Sequence, residues 1–388
     1  MGKRIAICIV CALLALPGGV RAEWTALEDG APARYDCAAT LLVEPESGQV
    51  IFAENADEKR PVASVTKIMT ILLACEAVES GAIGLDDRVQ VSAEAAGMGG
   101  SQVLLDAGET QTVGELLKTV IVGSANDAAV ALAEYIAGSV PLFVDRMNAR
   151  AAALGMADTV FVNCTGLPAD GQHTTARDVA AMAVELTKHS LYFDYSTIWL
   201  EDFTHESGRV TTLTNTNKLV RRYDGCDGIK TGSTSEAGYC MAASAKRGGM
   251  RLVAVVLGAP TGKERFRIAA QMLDYGFASY RLYPVAKAGA PMREPVRVEG
   301  GREESVGLLL GRGLTLLVKK GAEADVTLSA ELPERVSAPV GAGDVIGWVS
   351  VLQNGAETAR LPVIAAQSVA VRGLGDAFRH VFDAFFFQ

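Results

Sequence analysis

After its first 37 residues, the chain has two short apolar runs at 38–43 and 49–53, separated by the turn sequence Pro-Glu-Ser-Gly. This pattern predicts a β-hairpin. The stretch that follows, 65–78, is apolar on nearly every face and predicts a helix. Because a helix without a polar side packs inside a core, Ser64 is expected at the start of a buried helix.

Up to about residue 282, segments with helical spacing of apolar residues alternate with short apolar runs typical of strands. Helical spacing predicts further helices at 113–122, 125–137, 142–154, 176–188 and 263–277. Short apolar runs predict strands at 228–231, 239–245 and 251–258. Strands at both ends of the region with helices between them predict an α+β domain over 23–282, whose antiparallel sheet is built from both ends of the segment.

The composition and the pattern of apolar residues change near Tyr283 and Pro284. From there to 373, prolines and glycines separate short runs rich in valine and leucine, and no long helical pattern occurs. We therefore predict a small all-β domain over 283–373. No residue of this segment is a candidate for catalysis.

The last fifteen residues, 374–388, have helical periodicity with an aromatic face. That face consists of Phe378, Val381, Phe382, Phe385 and Phe386. An amphipathic helix of this kind either docks on its own domain or lies in a membrane interface. If the chain is exported, a terminal helix with so many aromatic residues favours the second interpretation, a peripheral membrane anchor.

Export is predicted by the first 22 residues. Lys3 and Arg4 precede a short apolar run, which ends at Pro17 and leads to Ala22. A charged start, a short apolar stretch and small residues before the cut are typical of a secretory signal peptide over 1–22, and the run is too short to span a bilayer. An uncleaved anchor is the alternative. The protein is thus expected on the outer face of the cytoplasmic membrane.

Composition excludes several functions. The formal net charge of −9 makes nucleic acid an unsuitable partner. The cysteines outside the leader are Cys37, Cys75, Cys164, Cys226 and Cys240; they form no C-x-x-C pair and indicate neither a disulfide framework nor a zinc site. The four histidines lack metal-ligand spacing. We expect no metal and no organic cofactor.

The first motif with chemical content is Ser64-Val-Thr-Lys67. Residues i and i+3 share a helix face, so the Lys67 amine can reach the Ser64 hydroxyl. An alcohol is a weak nucleophile and needs an adjacent base, and an amine can be that base only if its pKa is lowered. Ser64 also stands at a helix N-terminus, where developing negative charge is favoured.

Two further motifs are ambiguous by themselves. Ser124-Ala-Asn126 lies where one helical pattern ends and another begins, so Ser124 or Asn126 could simply cap a helix. Lys230-Thr231-Gly232 ends a short strand and could be an ordinary exposed strand with a glycine turn.

The order of the three motifs resembles that of the penicillin-recognising serine acyltransferases and serine β-lactamases. The surrounding residues are similar to those of the D-alanyl-D-alanine carboxypeptidases among the low-molecular-mass penicillin-binding proteins. The similar segments run over about 35–280 and include 63–70, 124–129, 163–178, 216–219, 230–232 and 238–239. The resemblance implies a β-lactamase/transpeptidase-like catalytic domain, followed by the β-rich domain and the anchor helix.

The resemblance also implies roles for the motif residues. Ser64 attacks the carbonyl between two D-alanines of a peptidoglycan stem peptide and forms an acyl-enzyme, while Lys67 takes its proton. Ser124 relays a proton to the leaving amine, and Asn126 holds the acyl amide. β-Lactam antibiotics would acylate the same serine.

Substrate binding is assigned in the same way. Lys230 and Thr231, with Gly232, bind the terminal carboxylate, and Arg265 matches a family arginine near it. The N–H groups of Ser64 and Ser233 are the expected oxyanion donors. Ser233 stands where some relatives have histidine. The nearby residues His173, Arg177 and Asp178 are assigned to the framework.

Three rival interpretations remain. A serine β-lactamase usually needs a glutamate for deacylation, and the stretch 163–175 contains none. A DD-endopeptidase shares the chemistry and differs only in the bond that it cuts. A catalytically dead wall-binding module would be expected to have lost motif residues, all of which are present. A penicillin-sensitive D-Ala-D-Ala carboxypeptidase is the preferred interpretation.

Overall fold

The computed structural model describes residues 25–26, 34–373 and 375. The chain divides into two compact units, Met1–Gly276 and Phe277–Gln388. The predicted signal peptide at 1–22 lies outside the described residues, as does nearly all of the predicted anchor helix at 374–388.

The first unit combines one large sheet with helices. Its strands are β1 (Thr25–Ala26), β2 (Ala39–Glu44), β3 (Gln49–Glu54), β4 (Arg88–Gln90), β5 (Thr110–Thr112), β6 (Leu200–Thr204), β7 (Val210–Thr214), β8 (Cys226–Thr234), β9 (Gly238–Arg247) and β10 (Met250–Ala259). Its helices are α1 (Lys67–Glu79), α2 (Ala93–Ala96), α3 (Val113–Val122), α4 (Asn126–Ala137), α5 (Val140–Ala153), α6 (Ala176–Leu186), α7 (Ser190–Ser196), α8 (Leu219–Arg222) and α9 (Gly262–Ser279). A 3-10 helix, Ala63–Thr66, leads directly into α1.

The six-stranded sheet has the order β1-β3-β2-β10-β9-β8. The central pairing joins β2 to β10, with Leu41 opposite Val255, so the two ends of the segment meet in the middle of the sheet. All pairs are antiparallel except the short β1–β3 pair. The predicted α+β class, with a sheet built from both ends of the segment, is confirmed.

Helix α1 is the buried helix that the apolar run predicts. Ile68, Met69, Ile71 and Leu72 are all fully buried. Helices α3, α4, α5, α6 and α7 contact α1 from several sides. Replacing such a buried side chain with alanine typically costs about 2–5 kcal/mol, so the packing of α1 contributes strongly to the stability of the element that carries Lys67.

Two small two-stranded sheets of the first unit were not predicted from the sequence. Strand β4 pairs with β5, and β6 pairs with β7. Only the central residue of β4 is buried, and one residue each of β6 and β7. Strands with so little apolar surface leave no clear alternation in the sequence.

The second unit contains strands only, apart from the end of α9 and a 3-10 helix at Glu323–Asp325, over residues 277–373. Its strands are β11 (Tyr280–Ala286), β12 (Val296–Glu299), β13 (Ser305–Val306), β14 (Leu308–Leu310), β15 (Leu314–Lys319), β16 (Val326–Glu331), β17 (Arg335–Ser337), β18 (Val345–Gln353) and β19 (Ala356–Ala365). The predicted all-β architecture of this segment is confirmed.

No helix among the described residues has by itself the length and apolar character needed to cross a membrane. One pair, α4 and α5, meets that test jointly but is bent by 84°.

Candidate active site

Ser64 lies in the 3-10 turn that precedes α1. Ala63, just before it, has a φ of +50°, a left-handed conformation that costs an alanine free energy. Neighbouring backbone fixes this turn: a Cβ on Gly166 would lie 1.9 Å from the Ala63 carbonyl oxygen, and one on Gly232 would lie 2.7 Å from the Ser64 nitrogen. The strained turn is thus enclosed by two glycines.

Lys67 is the first residue of α1 and is fully buried. Its Nζ lies 3.0 Å from Ser64 Oγ and donates to the Thr165 carbonyl oxygen at 2.7 Å. Burial lowers the pKa of Lys67 to about 7, although the charges of Cys164 and Asp127 oppose this shift. A large neutral fraction of the amine at neutral pH can therefore accept the Ser64 proton.

The Thr165 carbonyl is held by a turn to which the sequence assigned no role. Asn163 Oδ1 accepts from the Thr165 N–H at 3.1 Å and from the Gly166 N–H at 2.7 Å. Gly166 has a φ of +81°. The signal in the sequence was an asparagine three residues before a glycine, a pattern common in turns. Only the tertiary structure shows that the turn faces Lys67.

The second and third motifs, which begin at Ser124 and Lys230, are joined by a side-chain contact. Lys230 Nζ lies 2.7 Å from Ser124 Oγ, and Ser124 has a left-handed φ of +62°. The N-cap residue of α4 is Ala125, and no side-chain hydrogen bond caps this helix, so Ser124 is not a capping residue. Burial is the main cause that lowers the pKa of Lys230 well below its usual value; the charges of Lys67 and Arg265 lower it further.

Asn126, the first residue of α4, donates through Nδ2 to the Gly99 carbonyl at 2.6 Å. Its Oδ1 is buried and has no hydrogen-bond partner among the described residues. The next residue, Asp127, accepts from the Val103 and Leu105 N–H groups at 3.2 and 3.0 Å. Asp127, which sequence reasoning did not single out, thereby ties the loop between α2 and β5 to the start of α4.

Strand β8 carries Thr231, Gly232 and Ser233. Thr231 is buried, whereas Ser233 is exposed. Because Gly232 is so close to the Ser64 nitrogen, a side chain here would displace the catalytic turn. This close approach, and not an exposed glycine turn, explains the glycine in the third motif.

Arg265 lies on α9 and donates through Nη1 to the carbonyl oxygens of Gly232 and Cys240, at 2.9 and 3.3 Å. Its guanidinium also packs near the rings of Tyr239 and Phe266. Its Nε is buried and has no partner among the described residues. Arg265 is thus anchored beside β8.

The nine predicted site residues lie on the 3-10 turn with α1, at or just before the start of α4, on strand β8 and on α9. Direct contacts join Lys67 to Ser64, Lys230 to Ser124 and Arg265 to Gly232, and Gly232 lies against the backbone of Ser64, whereas Asn126 contacts Gly99. The set comprises Ser64, Lys67, Ser124, Asn126, Lys230, Thr231, Gly232, Ser233 and Arg265. A serine next to a buried, partly neutral amine at a helix N-terminus is a site for acyl transfer.

Comparison with known proteins agrees with this class. Residues 27–261 match the family model of D-alanyl-D-alanine carboxypeptidase, and residues 280–371 match that of the penicillin-binding protein 5 C-terminal domain. The chain belongs to the D-alanyl-D-alanine carboxypeptidase family of penicillin-binding proteins. Its activity is accordingly that of a peptidase, a hydrolase.

Similar proteins extend over most of the chain. The D-alanyl-D-alanine carboxypeptidase DacF of Bacillus subtilis is 38% identical over 87% of this chain and 87% of its own length. The D-alanyl-D-alanine carboxypeptidase DacC of Escherichia coli is 35% identical over 90% of this chain and 87% of its own length. The crystal structure of penicillin-binding protein 5 from Haemophilus influenzae has a TM-score of 0.79 and 32% identity, covering 88% of this chain and all of that one.

Proposed function

We propose that Ser64 is the nucleophile and Lys67 the general base of a D-alanyl-D-alanine carboxypeptidase. The observation that carries this assignment is the 3.0 Å contact between Ser64 Oγ and a buried Lys67 amine whose pKa is about 7. One N–H of the amine is used by the Thr165 carbonyl, which aims the amine at the serine. The hydroxyl proton passes to Lys67 as Oγ attacks the carbonyl carbon of the penultimate D-alanine.

The tetrahedral intermediate needs two aimed donors for its oxyanion. The N–H of Ser64 belongs to the first turn of a helix, which lacks intrahelical acceptors, and Ser233 lies next to Gly232 on the facing strand. The C–N bond then breaks, and the leaving D-alanine amine takes a proton through Ser124. Water hydrolyses the resulting ester, which restores the serine and releases the shortened peptide.

The terminal carboxylate is assigned to Lys230, Thr231 and Arg265. Lys230 is fully buried, and the charged groups that shift its pKa are both cations. An entering carboxylate relieves this repulsion and restores the ammonium form of Lys230. Arg265, held at the Gly232 carbonyl, adds a second positive charge beside Thr231. This arrangement favours a substrate with a free C-terminus over an internal bond.

The rival lactamase activity requires rapid hydrolysis of the acyl-enzyme. In this chain the segment that follows α5 brings a backbone carbonyl, that of Thr165, to Lys67, and the stretch 163–175 contains no glutamate. We therefore expect the penicilloyl ester on Ser64 to persist.

Intact-protein and peptide mass spectrometry test the assignment. After incubation with benzylpenicillin, one adduct should map to Ser64 and remain for minutes, and a D-Ala-D-Ala peptide should lose one alanine. Ser64→Ala should abolish the adduct and the hydrolysis without changing the thermal unfolding temperature. An adduct on another residue, or drug turnover within seconds, would contradict the proposal.

The cellular site is proposed from the sequence. The signal-like segment 1–22 and the aromatic helix 374–388 support export and peripheral attachment to the outer face of the cytoplasmic membrane. A signal-peptidase cleavage after Ala22, read by N-terminal sequencing of the secreted protein, is the expected result. A protein that retains 1–22 would contradict this assignment.

A further inference from the structure

The loop between α2 and β5 lies against Asn126, and the catalysis proposed above gives it no role. We call residues 99–105 the Asn126 loop. The Gly99 carbonyl oxygen accepts from Asn126 Nδ2 at 2.6 Å, and the Ser101 carbonyl oxygen accepts from the Asn126 N–H at 2.7 Å. A Cβ on Gly100, whose φ is +80°, would lie 2.7 Å from Asn126 Nδ2. The position of the Asn126 side chain therefore depends on the position of this loop.

The backbone of the Asn126 loop is strained at Leu104. This residue has a left-handed φ of +67° and is 54% exposed. A bulky residue rarely adopts that conformation, which persists only where the surrounding structure enforces it. The loop contains neither helix nor strand, and burial of the Leu104 side chain does not offset the strain. The contacts that enforce the conformation therefore come from other elements.

Two charged side chains hold the backbone on both sides of Leu104. Asp127, which is fully buried on α4, accepts from the Val103 and Leu105 N–H groups at 3.2 and 3.0 Å. Arg209, in the connection between β6 and β7, donates through Nη2 to the Leu104 carbonyl oxygen at 2.5 Å. Hydrogen bonds that involve a charged group are the stronger class. The strained residue is thus held from two elements that are distant from the loop in sequence.

The Arg209 guanidinium is itself held by neighbouring residues of β6 and β7. Its Nη2 lies 3.2 Å from His205 Nδ1, and its Nη1 donates to Thr211 Oγ1 at 3.4 Å. Arg209 also pairs with Asp106 at 3.1 Å, with both side chains partly exposed, and a surface ion pair of this kind contributes little to stability. The bond to the Leu104 carbonyl is therefore the contact through which Arg209 acts on the loop.

We propose that Arg209 is a positioning residue, which holds the Asn126 loop in its strained conformation so that the loop keeps the Asn126 amide oriented toward the acyl amide of the substrate. This inference rests on the proposed function, which assigns the acyl amide to Asn126. The side-chain hydrogen bonds of Arg209 within the described part of the chain go to Leu104, Asp106, His205 and Thr211, and none goes to a proposed site residue.

Arg209 is a cleaner test of the loop than Asp127, the second anchor. Burial lowers the pKa of Lys67, and the charge of Asp127 opposes that shift. Replacing Asp127 would therefore change the proposed base as well as the loop. Arg209 is partly exposed, so its replacement leaves no buried charge without a partner.

A pair of thioesters separates positioning from general damage. N-acetyl-D-alanyl-D-thiolactate carries the acyl amide, whereas propanoyl-D-thiolactate has the same acyl chain without it, and both end in a free carboxylate. Arg209→Ala should lower kcat/KM for the amide-bearing thioester about tenfold, because a misplaced Asn126 amide no longer holds the substrate in the reactive orientation. The propanoyl thioester offers no amide to Asn126, so its kcat/KM should stay within about twofold. The loss of thioester absorbance measures both.

A double-mutant cycle measures the coupling between Arg209 and Asn126. Asn126→Ala alone should lower kcat/KM for the amide-bearing thioester by more than Arg209→Ala does. Adding Arg209→Ala to Asn126→Ala should cause no further loss, because the amide that Arg209 positions is then absent. A residue that only stabilised the fold would lower the activity in both backgrounds.

Two control variants should keep the parent activity on both thioesters. Asp106→Asn removes the ion pair of Arg209 and leaves its bond to the Leu104 carbonyl. Arg146→Ala removes an exposed arginine of α5 that likewise donates to a backbone carbonyl, that of Ile136 at 2.9 Å, but does not belong to the Asn126 loop or its anchors. The unfolding temperature of Arg209→Ala should fall by no more than about 4 °C, as for other surface substitutions.

Three results would overturn the inference. These are an equal loss for both thioesters, which indicates general damage to the site, no loss for either, which makes Arg209 an ordinary surface residue, or a further loss when Arg209→Ala is added to Asn126→Ala. A failure of the proposed function has a different signature: the parent protein hydrolyses neither thioester, and penicillin forms no adduct on Ser64.

Discussion

The two units of this protein treat buried polar groups differently. In the first unit, the fully or nearly buried side chains include Lys67, Lys230, Asn126 and Asp127. Among the described residues of the second unit, no charged side chain is buried, and the buried side-chain hydroxyls include those of Ser350 and Tyr280. Burying an amine is costly unless it loses its charge or gains partners. The first unit bears this cost where chemistry is proposed, while the second has the interior of an ordinary β-rich fold.

Backbone strain follows the same division. The described left-handed non-glycine residues of the first unit are Asn55, Ala63, Leu104 and Ser124, of which Ala63 and Ser124 lie at the reacting groups; the one such residue in the described part of the second unit, Asn354, lies in a β-turn. Asparagine adopts that conformation readily, but alanine and serine do so at a cost. Strained backbone and a buried amine thus occur together twice at the site, at Ala63 with Lys67 and at Ser124 with Lys230, and variants there should have the largest effects.

The largest difference in activity is expected between arginine variants of the two buried lysines, Lys67 and Lys230. Lys67→Arg should lower penicillin acylation at least 1,000-fold, because a guanidinium cannot be deprotonated in a protein and so cannot act as the base. Lys230→Arg keeps a cation for the carboxylate and should retain measurable activity. Stopped-flow acylation with a chromogenic cephalosporin measures both. Equal losses would argue against Lys67 as the base.

Gly166→Ala should affect stability and activity together. Its Cβ would lie 1.9 Å from the Ala63 carbonyl oxygen, so the catalytic turn or the Thr165 carbonyl must move. We expect a loss of at least about 2 kcal/mol in the free energy of unfolding and most of the activity. Urea titration with parallel kinetics measures both.

Gly171→Ala is the matched control. Gly171 has a similar φ of +86°, but nothing lies within 4 Å of its Cβ position. It should cost only about 1–2 kcal/mol from the left-handed backbone and keep full activity. If both variants behaved alike, contact with the catalytic turn would not be the reason for glycine at 166.

Amidating the terminal D-alanine of the substrate tests whether its carboxylate is bound by Lys230, Thr231 and Arg265. The change removes the negative charge assigned to Lys230, Thr231 and Arg265, whose charge-assisted contacts belong to the stronger class of hydrogen bond. The value of kcat/KM should fall at least tenfold, measured by alanine or alaninamide release. An enzyme indifferent to amidation would favour endopeptidase action on internal bonds.

The pH dependence follows from the lowered pKa of Lys67. The neutral form of Lys67 is the active one, so kcat/KM should rise as the pH increases through about 7. It should fall again at higher pH, because the substrate carboxylate needs the ammonium form of Lys230, whose pKa is lowered well below its usual value. Between pH 6 and pH 7 the rise should be about 5.5-fold. Acylation rates across pH 5.5–9 measure it. A profile that stays flat over pH 6–8 would contradict an amine of this pKa as the base.

What the sequence could predict depended on distance along the chain. Ser64 and Lys67 are one helical turn apart, so their contact follows from local geometry. The Thr165 carbonyl that completes the site is 98 residues from Lys67, and its approach depends on how helices pack. The large elements were likewise predictable from apolar periodicity, whereas β4–β7 bury too little to leave a pattern.

The smallest catalytic effect should come from the C-terminal tail. Removing 374–388 should leave kcat/KM for a soluble peptide unchanged, because every proposed catalytic residue lies in the first unit. It should nevertheless release the mature protein from membranes. Arg379 is the only lysine or arginine of the tail, so binding should depend on apolar burial and resist high salt.

Point variants separate the two faces of the tail. Replacing Phe382 and Phe386 with serine should reproduce the release, whereas Arg379→Ser with Asp383→Ser, on the polar face, should not. Flotation of vesicles with bound protein measures binding, and peptide hydrolysis measures activity in the same samples. If truncation instead lowered thermal stability and activity together while the protein stayed on the vesicles, the helix would be part of the packed fold. The aromatic face would then be a core-facing surface, and the sharp separation between a catalytic first unit and a catalytically silent remainder would no longer hold.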